Sequence, residues 1–426
     1  MPPSTTPSDV LIVGAGAAGL MAALVLAQPG WRVVLLEARS RSGGRIFPLP
    51  EQEFGYPAEA GAEYVHGAAP LTRRLVQEAG LSLRPLSGKR WSFQDGNWVP
   101  RDTAPHQEQF LAAMESLTTD MPVAGFLPRF AGPEYESLRQ LIVREVEGYN
   151  NAELGRFSTF ALRDQWRDPD SELQERVVEG YGALAGFLTN GALRAGVTLH
   201  TGAVVTGMEV EGDQVTTRCR DGRVFSARRV IVTLPLPLLR ALSLPPSLAN
   251  AVAEADTATG FGAVLKFHLR FRRRRWSEGR PDLPDMGFVF GTKSAVPTWW
   301  TQVPLPHPVL TGWCSGSRLA WSAGRSPVER LETALTSLSE IFGQTLAALH
   351  ADLVAWKSTH WGEEEFSAGA YSYPTVETKP ALDALREVAT GPILLAGESL
   401  YADGETGTVE AALASGESAA RLILKT

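Results

Sequence analysis

The sequence predicts an α/β fold built around a Rossmann-like dinucleotide-binding domain, and three observations lead to that prediction. An apolar strand at residues 9–13 runs directly into a Gly-x-Gly-x-x-Gly turn at residues 14–19, which opens a helix of small residues. A second strand at residues 32–36 ends on Glu37. The same alternation of helix and strand returns after residue 180 and ends on a buried strand at residues 230–233. Such alternation is typical of a parallel sheet covered by helices.

Each glycine of the first turn has a physical role. Gly14 permits the tight turn, Gly16 lets the backbone approach a pyrophosphate, and Gly19 lets the helix pack on the strand. The phosphates would bind the free N–H groups at the start of the helix. Glu37 can accept hydrogen bonds from both ribose hydroxyls of an adenosine. The alternative is an ordinary glycine-rich strand-turn-helix that binds no ligand.

Composition narrows the class of protein. The 426 residues are 44% hydrophobic, enough for a large core and more than one simple domain. A net charge of −7 argues against generic nucleic-acid binding. The two cysteines form no metal-type spacing and fit a reducing compartment. Residues 1–8 do not resemble a signal peptide and no apolar run could span a bilayer, so we expect a cytoplasmic protein with no membrane partner.

A second glycine pair follows the acid, in Arg41-Ser-Gly-Gly44-Arg45. Glycines beside arginines suit a second backbone segment that contacts the same pyrophosphate, and Arg45 could form a bidentate hydrogen bond to the phosphate. We expect Arg41 to be a solvated surface charge. With the first turn and Glu37, this segment resembles the flavin-dependent amine oxidases, which include monoamine oxidases, polyamine oxidases and flavin histone demethylases. The resemblance covers nearly the whole chain and is nearest to the polyamine oxidases.

The resemblance implies FAD as the cofactor and a Rossmann-like FAD-binding domain that is split in sequence. This domain would comprise residues 1–80, 181–262 and 376–426. An α+β substrate-binding domain, residues 81–180 and 263–375, would be inserted between these segments.

Near the C-terminus, Ala396-Gly397-Glu398 matches the family strand whose acid binds the ribityl or pyrophosphate part of FAD. Thr408-Val409 opens a helix whose N-terminus would point at the flavin and stabilise the charge of its reduced form. The alternative is an alanine-rich packing helix. Ala370 stands where monoamine oxidases carry the cysteine that bonds to the flavin, so we expect non-covalent FAD.

The candidate cofactor-binding residues come from these blocks and from the segments around residues 61–64, 205 and 361. They are Gly14, Ala15, Gly16, Ala18, Gly19, Glu37, Ala38, Arg39, Gly44, Arg45, Gly61, Ala62, Glu63, Tyr64, Val205, Trp361, Gly397, Glu398, Thr408 and Val409.

Lys266 and Tyr371 are the candidate catalytic residues. Alternation along residues 262–269 alone would make Lys266 a solvated strand lysine. The resemblance implies instead the lysine that holds a water against flavin N5. It also makes Tyr371 a wall of the cage around the substrate amine, where aromatic faces suit a cation. Tyr373 follows two residues later as a further substrate-binding candidate.

Three other residues complete the candidate substrate site. His66, in Gly-Ala-Glu-Tyr-Val-His-Gly, would line the substrate cavity, unless it is only a hydrogen-bonded loop histidine. Thr408 stands where monoamine oxidases place a second cage tyrosine, so one side of the cage would be open to a longer chain. Glu63, or else Glu145 or Glu147, could pair with a distal substrate nitrogen.

The implied reaction oxidises a di- or polyamine to an imine, which water hydrolyses to an aldehyde, while O2 is reduced to H2O2. The alternatives are a monoamine oxidase, an L-amino-acid oxidase with Arg90 or Arg163 binding the carboxylate, and a carotenoid-type desaturase or isomerase. A non-catalytic FAD-bearing or chromatin-type protein ranks last. The basic run Arg272–Arg275 is expected to be a solvated strand edge. The oligomeric state stays open.

Overall fold

The computed structural model describes residues 8–100, 105–278, 283, 285–291, 293–401 and 404–425. The proposed N-terminal lead, apart from Ser8, lies outside these residues, as does Ala104 at the start of a predicted helical stretch. No helix among the described residues is long and apolar enough to cross a membrane.

The strands, in chain order, are β1 (Ser8–Val13), β2 (Val33–Leu36), β3 (Tyr64–His66), β4 (Leu83–Pro85), β5 (Lys89–Gln94), β6 (Asn97–Pro100), β7 (Gln174–Val177), β8 (Thr198–His200), β9 (Val205–Glu211), β10 (Gln214–Cys219), β11 (Val224–Val232), β12 (Gly260–Gly262), β13 (Val264–Phe271), β14 (Met286–Gly291), β15 (Thr298–Trp300), β16 (Val309–Ser315), β17 (Leu353–His360), β18 (Tyr371–Tyr373) and β19 (Ile393–Leu395).

The α-helices are α1 (Ala17–Leu26), α2 (Glu51–Phe54), α3 (Pro70–Glu78), α4 (Gln107–Glu115), α5 (Val123–Phe126), α6 (Glu136–Val143), α7 (Thr159–Arg167), α8 (Tyr181–Arg194), α9 (Leu236–Arg240), α10 (Pro246–Ala258), α11 (Pro327–Phe342), α12 (Leu346–Asp352), α13 (Thr378–Val388) and α14 (Val409–Leu424). A π-helix, Arg144–Tyr149, continues α6.

The first sheet confirms the predicted α/β fold. Its order is β8-β2-β1-β11-β10-β9, with β19 also paired to β11. Strands β2, β1, β11 and β19 pair in parallel, and buried residues cover both faces of this part. Helix α14 packs closely on α1, because a Cβ on Gly416 would lie only 2.1 Å from the Ala18 carbonyl oxygen. The N- and C-terminal segments are therefore held side by side.

The second sheet has the order β17-β13-β16-β15-β14-β5-β6. Strand β13 pairs antiparallel with β16 and β17. The predicted hairpin at Asp95-Gly96 joins β5 to β6. Every residue from Val264 to Leu269 is buried, so the expectation of one solvated face on β13 is wrong. Its polar face is covered by the 54–63 segment, which contacts both Lys266 and His268.

Three smaller expectations also change. The strands expected at residues 224–227 and 230–233 form one continuous strand, β11. The helix expected over residues 327–349 is two helices, because α11 ends at Gly343, which has a φ of +65°. The basic run is not wholly solvated, because Arg275 reaches the buried Asp352 at 2.8 Å.

Sheet pairings also cross the predicted domain boundaries. Strand β7, from the predicted substrate-binding segment 81–180, lies between β3 and β4. The division of the chain into two domains stays a prediction.

Candidate active site

A cavity of about 1290 Å³ is the centre of the site. One part of its lining comes from the first glycine turn, Glu37 and Arg45, and another from Lys266 and Tyr371. Ligand pockets usually measure about 300–1,000 Å³. This cavity therefore has room for a dinucleotide and a smaller molecule together.

The three glycines of the first turn have different surroundings. A Cβ on Gly14, which has a φ of +101°, would lie 2.6 Å from Thr233 Oγ1. A Cβ on Gly19 would lie 1.8 Å from the Gly14 carbonyl oxygen. A Cβ on Gly16 would meet no atom within 4 Å, and Gly16 lines the cavity. The first and third glycines are thus required by the turn itself, while the open space at Gly16 fits a pyrophosphate.

Glu37 lies buried at the end of β2, where its carboxylate stabilises the turn. Its Oε2 accepts a hydrogen bond from the Ala15 N–H and its Oε1 from the Arg39 N–H, both at 2.8 Å. A carboxylate offers about four acceptor sites. Because Glu37 also lines the cavity, it keeps capacity for ribose hydroxyls.

The expectation that Arg41 is a solvated surface charge is wrong. Its guanidinium donates to the carbonyls of Ser42, Gly44 and Ile46, at 3.1, 2.9 and 3.0 Å. It also lies 4.0 Å from the centre of the Phe47 ring. Arg41 therefore shapes the loop that brings Gly44 to the cavity.

Arg45 and Glu398 link distant parts of the chain beside the cavity. Arg45 Nη1 donates to Glu398 Oε1 at 2.9 Å and to the Ala370 carbonyl at 2.7 Å. Glu398 Oε2 accepts from the Ser372 hydroxyl at 2.5 Å and from the Gly407 N–H at 2.9 Å. One buried carboxylate thus orders three segments of the lining.

Helix α14 begins at the cavity. Thr408 is its N-cap, and its hydroxyl accepts from the Ala411 N–H at 3.0 Å. The first N–H groups of a helix have no acceptor within the helix. Because Thr408 and Val409 both line the cavity, the positive end of the helix dipole faces it. This arrangement suits an anionic reduced flavin.

Lys266 is 1% exposed, so it is not a solvated strand lysine. Its ammonium donates to the carbonyls of Glu59 and Gly61, at 2.7 and 3.0 Å, and to Glu63 Oε2, at 2.8 Å. An ammonium has three N–H donors, and all three have acceptors in the 59–63 segment. A Cβ on Gly61 would lie 1.7 Å from the Arg45 carbonyl oxygen, so this segment also passes close to the pyrophosphate loop.

Glu63 is enclosed by donors. Besides Lys266, it accepts at Oε1 from Arg176 Nε at 3.1 Å, Trp300 Nε1 at 3.1 Å and Gln302 Nε2 at 3.4 Å. Burial opposes its charge, but Lys266 and Arg176 bring its pKa down to about 2. Its carboxylate is therefore ionised and fully engaged, so we withdraw it as the partner of a distal substrate nitrogen.

An aromatic chamber adjoins this cluster. Tyr371 stacks on Trp313, with ring centres 6.4 Å apart, and its hydroxyl donates to the Tyr149 carbonyl at 2.6 Å. Tyr149 is the last residue of the π-helix, a conformation frequent at functional sites. Trp300 and Phe288 form a further wall, 5.8 Å apart. All five rings line the cavity.

His66 both lines the cavity and has a partner, because its Nδ1 lies 3.1 Å from the Tyr149 hydroxyl. Burial lowers its pKa to about 4, so the imidazole is neutral at pH 7. Tyr64 lies beside it and accepts from Arg176 Nη2 at 2.8 Å. The two readings of His66, cavity wall and hydrogen-bonded loop residue, are therefore compatible.

Most of the other candidate residues also line the cavity. They are Ala18, Ala38, Arg39, Gly44, Ala62, Val205, Trp361 and Gly397. Ala15 and Gly19 are not part of its surface, and their role is in the turn. Tyr373 contributes to the lining, but its ring packs 6.2 Å from Phe157 in the helical core.

The acids and arginines proposed for the substrate are dispersed. Glu147 and Arg163 do not line the cavity. Glu145 and Arg90 do, and Arg90 pairs with Glu172 at 3.5 Å.

Glu405 is an acid that the sequence analysis did not consider. Its carboxylate lines the cavity and has no hydrogen bond or ion pair to any other described residue. Its side chain is exposed, but the surrounding lining desolvates it, and this effect together with the nearby charge of Asp168 raises its pKa to about 7.

Several residues of the chamber gave no local signal in the sequence. Tyr149, Phe288, Trp300 and Trp313 come from four separate elements, and Arg176 from a fifth. The π-helix has no sequence pattern that we can name. The Trp299-Trp300 pair could have drawn attention, since adjacent strand residues face opposite sides of a sheet.

The fold and the cavity together define a protein with a Rossmann-like dinucleotide-binding domain and an adjoining aromatic chamber. The chain matches the family described as flavin containing amine oxidoreductase over residues 17–141 and 134–424. It therefore belongs to that family, which confirms the predicted resemblance and the FAD cofactor. Neither Cys219 nor Cys314 lines the cavity, in agreement with non-covalent binding of the flavin.

Individual relatives are distant. The chain is 25% identical over 421 residues to human lysine-specific histone demethylase 2, covering 92% of this chain and 50% of that one. It thus spans half the length of that relative. It is 26% identical to polyamine oxidase 5 of Oryza sativa subsp. japonica, covering 97% and 87% of the two chains. A putrescine oxidase structure with bound putrescine superposes with a TM-score of 0.81 at 21% identity, covering 99% of this chain and all of that one.

Proposed function

We propose that this protein is an FAD-dependent oxidase of a di- or polyamine. One observation carries the proposal: a single cavity is lined by the dinucleotide turn, by the aromatic chamber and by Glu405, an acid with no partner among the described residues. The names of the plant polyamine oxidases and of the putrescine oxidase structure agree with this substrate class.

The cofactor would supply the redox chemistry: the amine would lose two electrons and two protons as it becomes an imine, and these would reach O2 through the flavin to give H2O2. The residues that would hold it are Gly16, Glu37, Arg45, Glu398 and the first N–H groups of α14. The oxidised substrate is an imine, and water hydrolyses it to an aldehyde and a free amine.

The chamber residues position the reacting amine. The faces of Tyr371 and Trp300 would hold the carbon next to the nitrogen and exclude water, and they stabilise any cationic form of the substrate. The reacting nitrogen must be neutral, because its lone pair has to be available as the C–H bond breaks. Lys266 lines the cavity beside this chamber, and we retain it as a candidate catalytic residue.

Glu405 would bind the distal ammonium of the substrate. Its negative charge reaches the chamber, since it raises the pKa values of both Tyr149 and Tyr371 beyond the effect of their burial. A chain running past Thr408 would approach the segment that carries this carboxylate, because Thr408 and Glu405 both line the cavity and are three residues apart. This assignment replaces Glu63, Glu145 and Glu147.

The test compares putrescine, spermidine and spermine with benzylamine and leucine, with peroxide detection. We expect the highest kcat/KM among the first three. Higher values for benzylamine or leucine would favour the monoamine or amino-acid alternative; of the two arginines proposed for a substrate carboxylate, Arg90 lines the cavity. Purified protein without any oxidase activity would favour a non-catalytic role.

The variant E405Q examines the distal site separately. It should raise KM for putrescine about tenfold or more and leave KM for benzylamine nearly unchanged, because only the diamine has a second charge. E172Q is the matched control, since Glu172 also lines the cavity but is paired with Arg90 and 83% exposed. Equal effects of E405Q on both substrates would contradict the assignment. Location in the cytoplasm and the identity of O2 as acceptor stay part of the proposal.

A further inference from the structure

The three hydrogen-bond acceptors of the Lys266 ammonium are of two chemical kinds. Two of its three acceptors are backbone carbonyls, of Glu59 and Gly61, and these cannot be changed by a side-chain substitution. The third is the Glu63 carboxylate. Glu63 is therefore the one side chain that accepts from this ammonium within the described residues.

Glu63 is itself fixed from its other side. Three donors, from Arg176, Trp300 and Gln302, converge on Oε1, while Oε2 faces Lys266. Arg176 is held in turn by the Tyr64 hydroxyl at 2.8 Å and the Thr301 carbonyl at 3.2 Å. The carboxylate thus has one position available to it.

We propose that Glu63 is a positioning residue that holds the Lys266 ammonium on the 59–63 segment and away from the rest of the cavity. Lys266 then acts on a bound flavin from a single fixed place, and its movement toward the cavity requires it to leave Glu63. The inference rests on the proposed function, because it concerns how the same site controls its cofactor.

The geometry predicts what an isosteric amide would do. In E63Q, the amide oxygen would turn to the side where three donors converge, because an NH2 group there would face those donors. The NH2 group would then face Lys266, donor against donor. Lys266 would keep two carbonyl acceptors, lose its carboxylate partner and be free to move.

The first experiment measures the midpoint potential of the bound flavin in four holoproteins: wild type, E63Q, K266M and the double variant. We expect E63Q to raise the potential, by about tenfold in the reduction equilibrium, which is about 30 mV for two electrons. In the K266M background, the E63Q substitution should shift the midpoint potential by less than about a third of that amount. An equal shift in both backgrounds would mean that Glu63 acts on the flavin directly as a charge, and would overturn the positioning role.

E59Q is the matched control. Glu59 is a buried neighbour of Glu63, but its carboxyl group binds the Gly182 N–H and only its backbone contacts Lys266. Burial raises its pKa to about 8, so at pH 7 the substitution changes little charge. The flavin potential should stay at the wild-type value. A shift in the midpoint potential of E59Q as large as that of E63Q would show that any polar substitution in this region changes the potential, and would contradict a specific role for Glu63.

A second measurement does not need electron transfer. The chain has six lysines, and Lys266 is the buried one among those that the structure describes. Amine acetylation of the holoprotein, read by peptide mass spectrometry, should leave Lys266 unmodified in wild type and E59Q. In E63Q it should be labelled at least tenfold faster, with the other five lysines unchanged. Unchanged protection of Lys266 in E63Q would refute the proposal, even if that variant bound flavin poorly. Faster labelling of Lys266 in E63Q, combined with no oxidase activity in the wild-type protein, would count against the proposed function alone.

Discussion

Replacing Glu398 by alanine should destabilise the protein and weaken flavin binding together. The carboxylate is buried and accepts from Arg45, from the Ser372 hydroxyl and from the Gly407 N–H. All four residues line the cavity. Their positions depend on one side chain, so its loss changes both the fold and the cofactor site.

The size of the effect follows from these contacts. Breaking one side of a buried ion pair costs about 3–5 kcal/mol, and because the Arg45 side chain is 25% exposed we take about 3 kcal/mol. The hydroxyl and N–H left without an acceptor add about 1 kcal/mol together. An unfolding entropy of about 2.1 cal/mol/K per residue gives about 0.9 kcal/mol/K for 426 residues. A loss of about 4 kcal/mol therefore lowers Tm by about 4–5 °C.

The assay is thermal unfolding of flavin-depleted protein, with the flavin Kd from fluorescence titration. We expect the Tm decrease above and a Kd at least tenfold weaker. D383A is the control, since Asp383 pairs with Lys379 and Arg386 at the surface and is 47% exposed. It should change Tm by about 1 °C or less. A Glu398 variant that matches D383A in both measurements would refute the reasoning.

Three other outcomes are expected. K266M should keep FAD bound but slow flavin reduction, reoxidation or both in stopped-flow traces, because a positioned charge is lost; unchanged traces would contradict a catalytic role. Acid precipitation should release the flavin into the supernatant, and colour in the pellet would contradict non-covalent binding. For putrescine, kcat/KM should rise with pH as the reacting amine deprotonates, and the rise should be steeper below about pH 7, where Glu405 is also losing its proton. The E405Q variant should lack this steeper part. A wild-type pH profile in E405Q would exclude Glu405 as the residue that binds the distal ammonium.

The sequence predicted correctly those parts of the fold that depend on residues adjacent in the chain. The turn at residues 14–19, the acid Glu37, the hairpin at Asp95-Gly96 and helix α14 each depend on neighbours along the chain. Their geometry follows from local backbone rules, so a single segment suffices to infer them.

The errors concern residues whose environment comes from far away in sequence. Alternation gave β13 a solvated face, because nothing local shows that the 54–63 segment covers it. Glu63 was one of three candidate partners for a substrate nitrogen, and the sequence does not show that Arg176 and Trp300, 113 and 237 residues away, donate to it. Arg41 looked like a surface charge because loop carbonyls leave no mark in the side-chain pattern.

The distribution of charge around the cavity explains why one space can serve two unlike ligands. The N-terminus of α14 gives one region of the lining a positive character, which suits the charge of a reduced flavin, while Arg45 and Lys266 line the same cavity as ion pairs with Glu398 and Glu63. Glu405 gives another region a negative charge, which suits a protonated amine. Glu63 would balance Lys266 near the boundary, so that the positive region does not repel the substrate. Cofactor and amine would therefore be sorted within one cavity by charge, with the neutral aromatic rings between them.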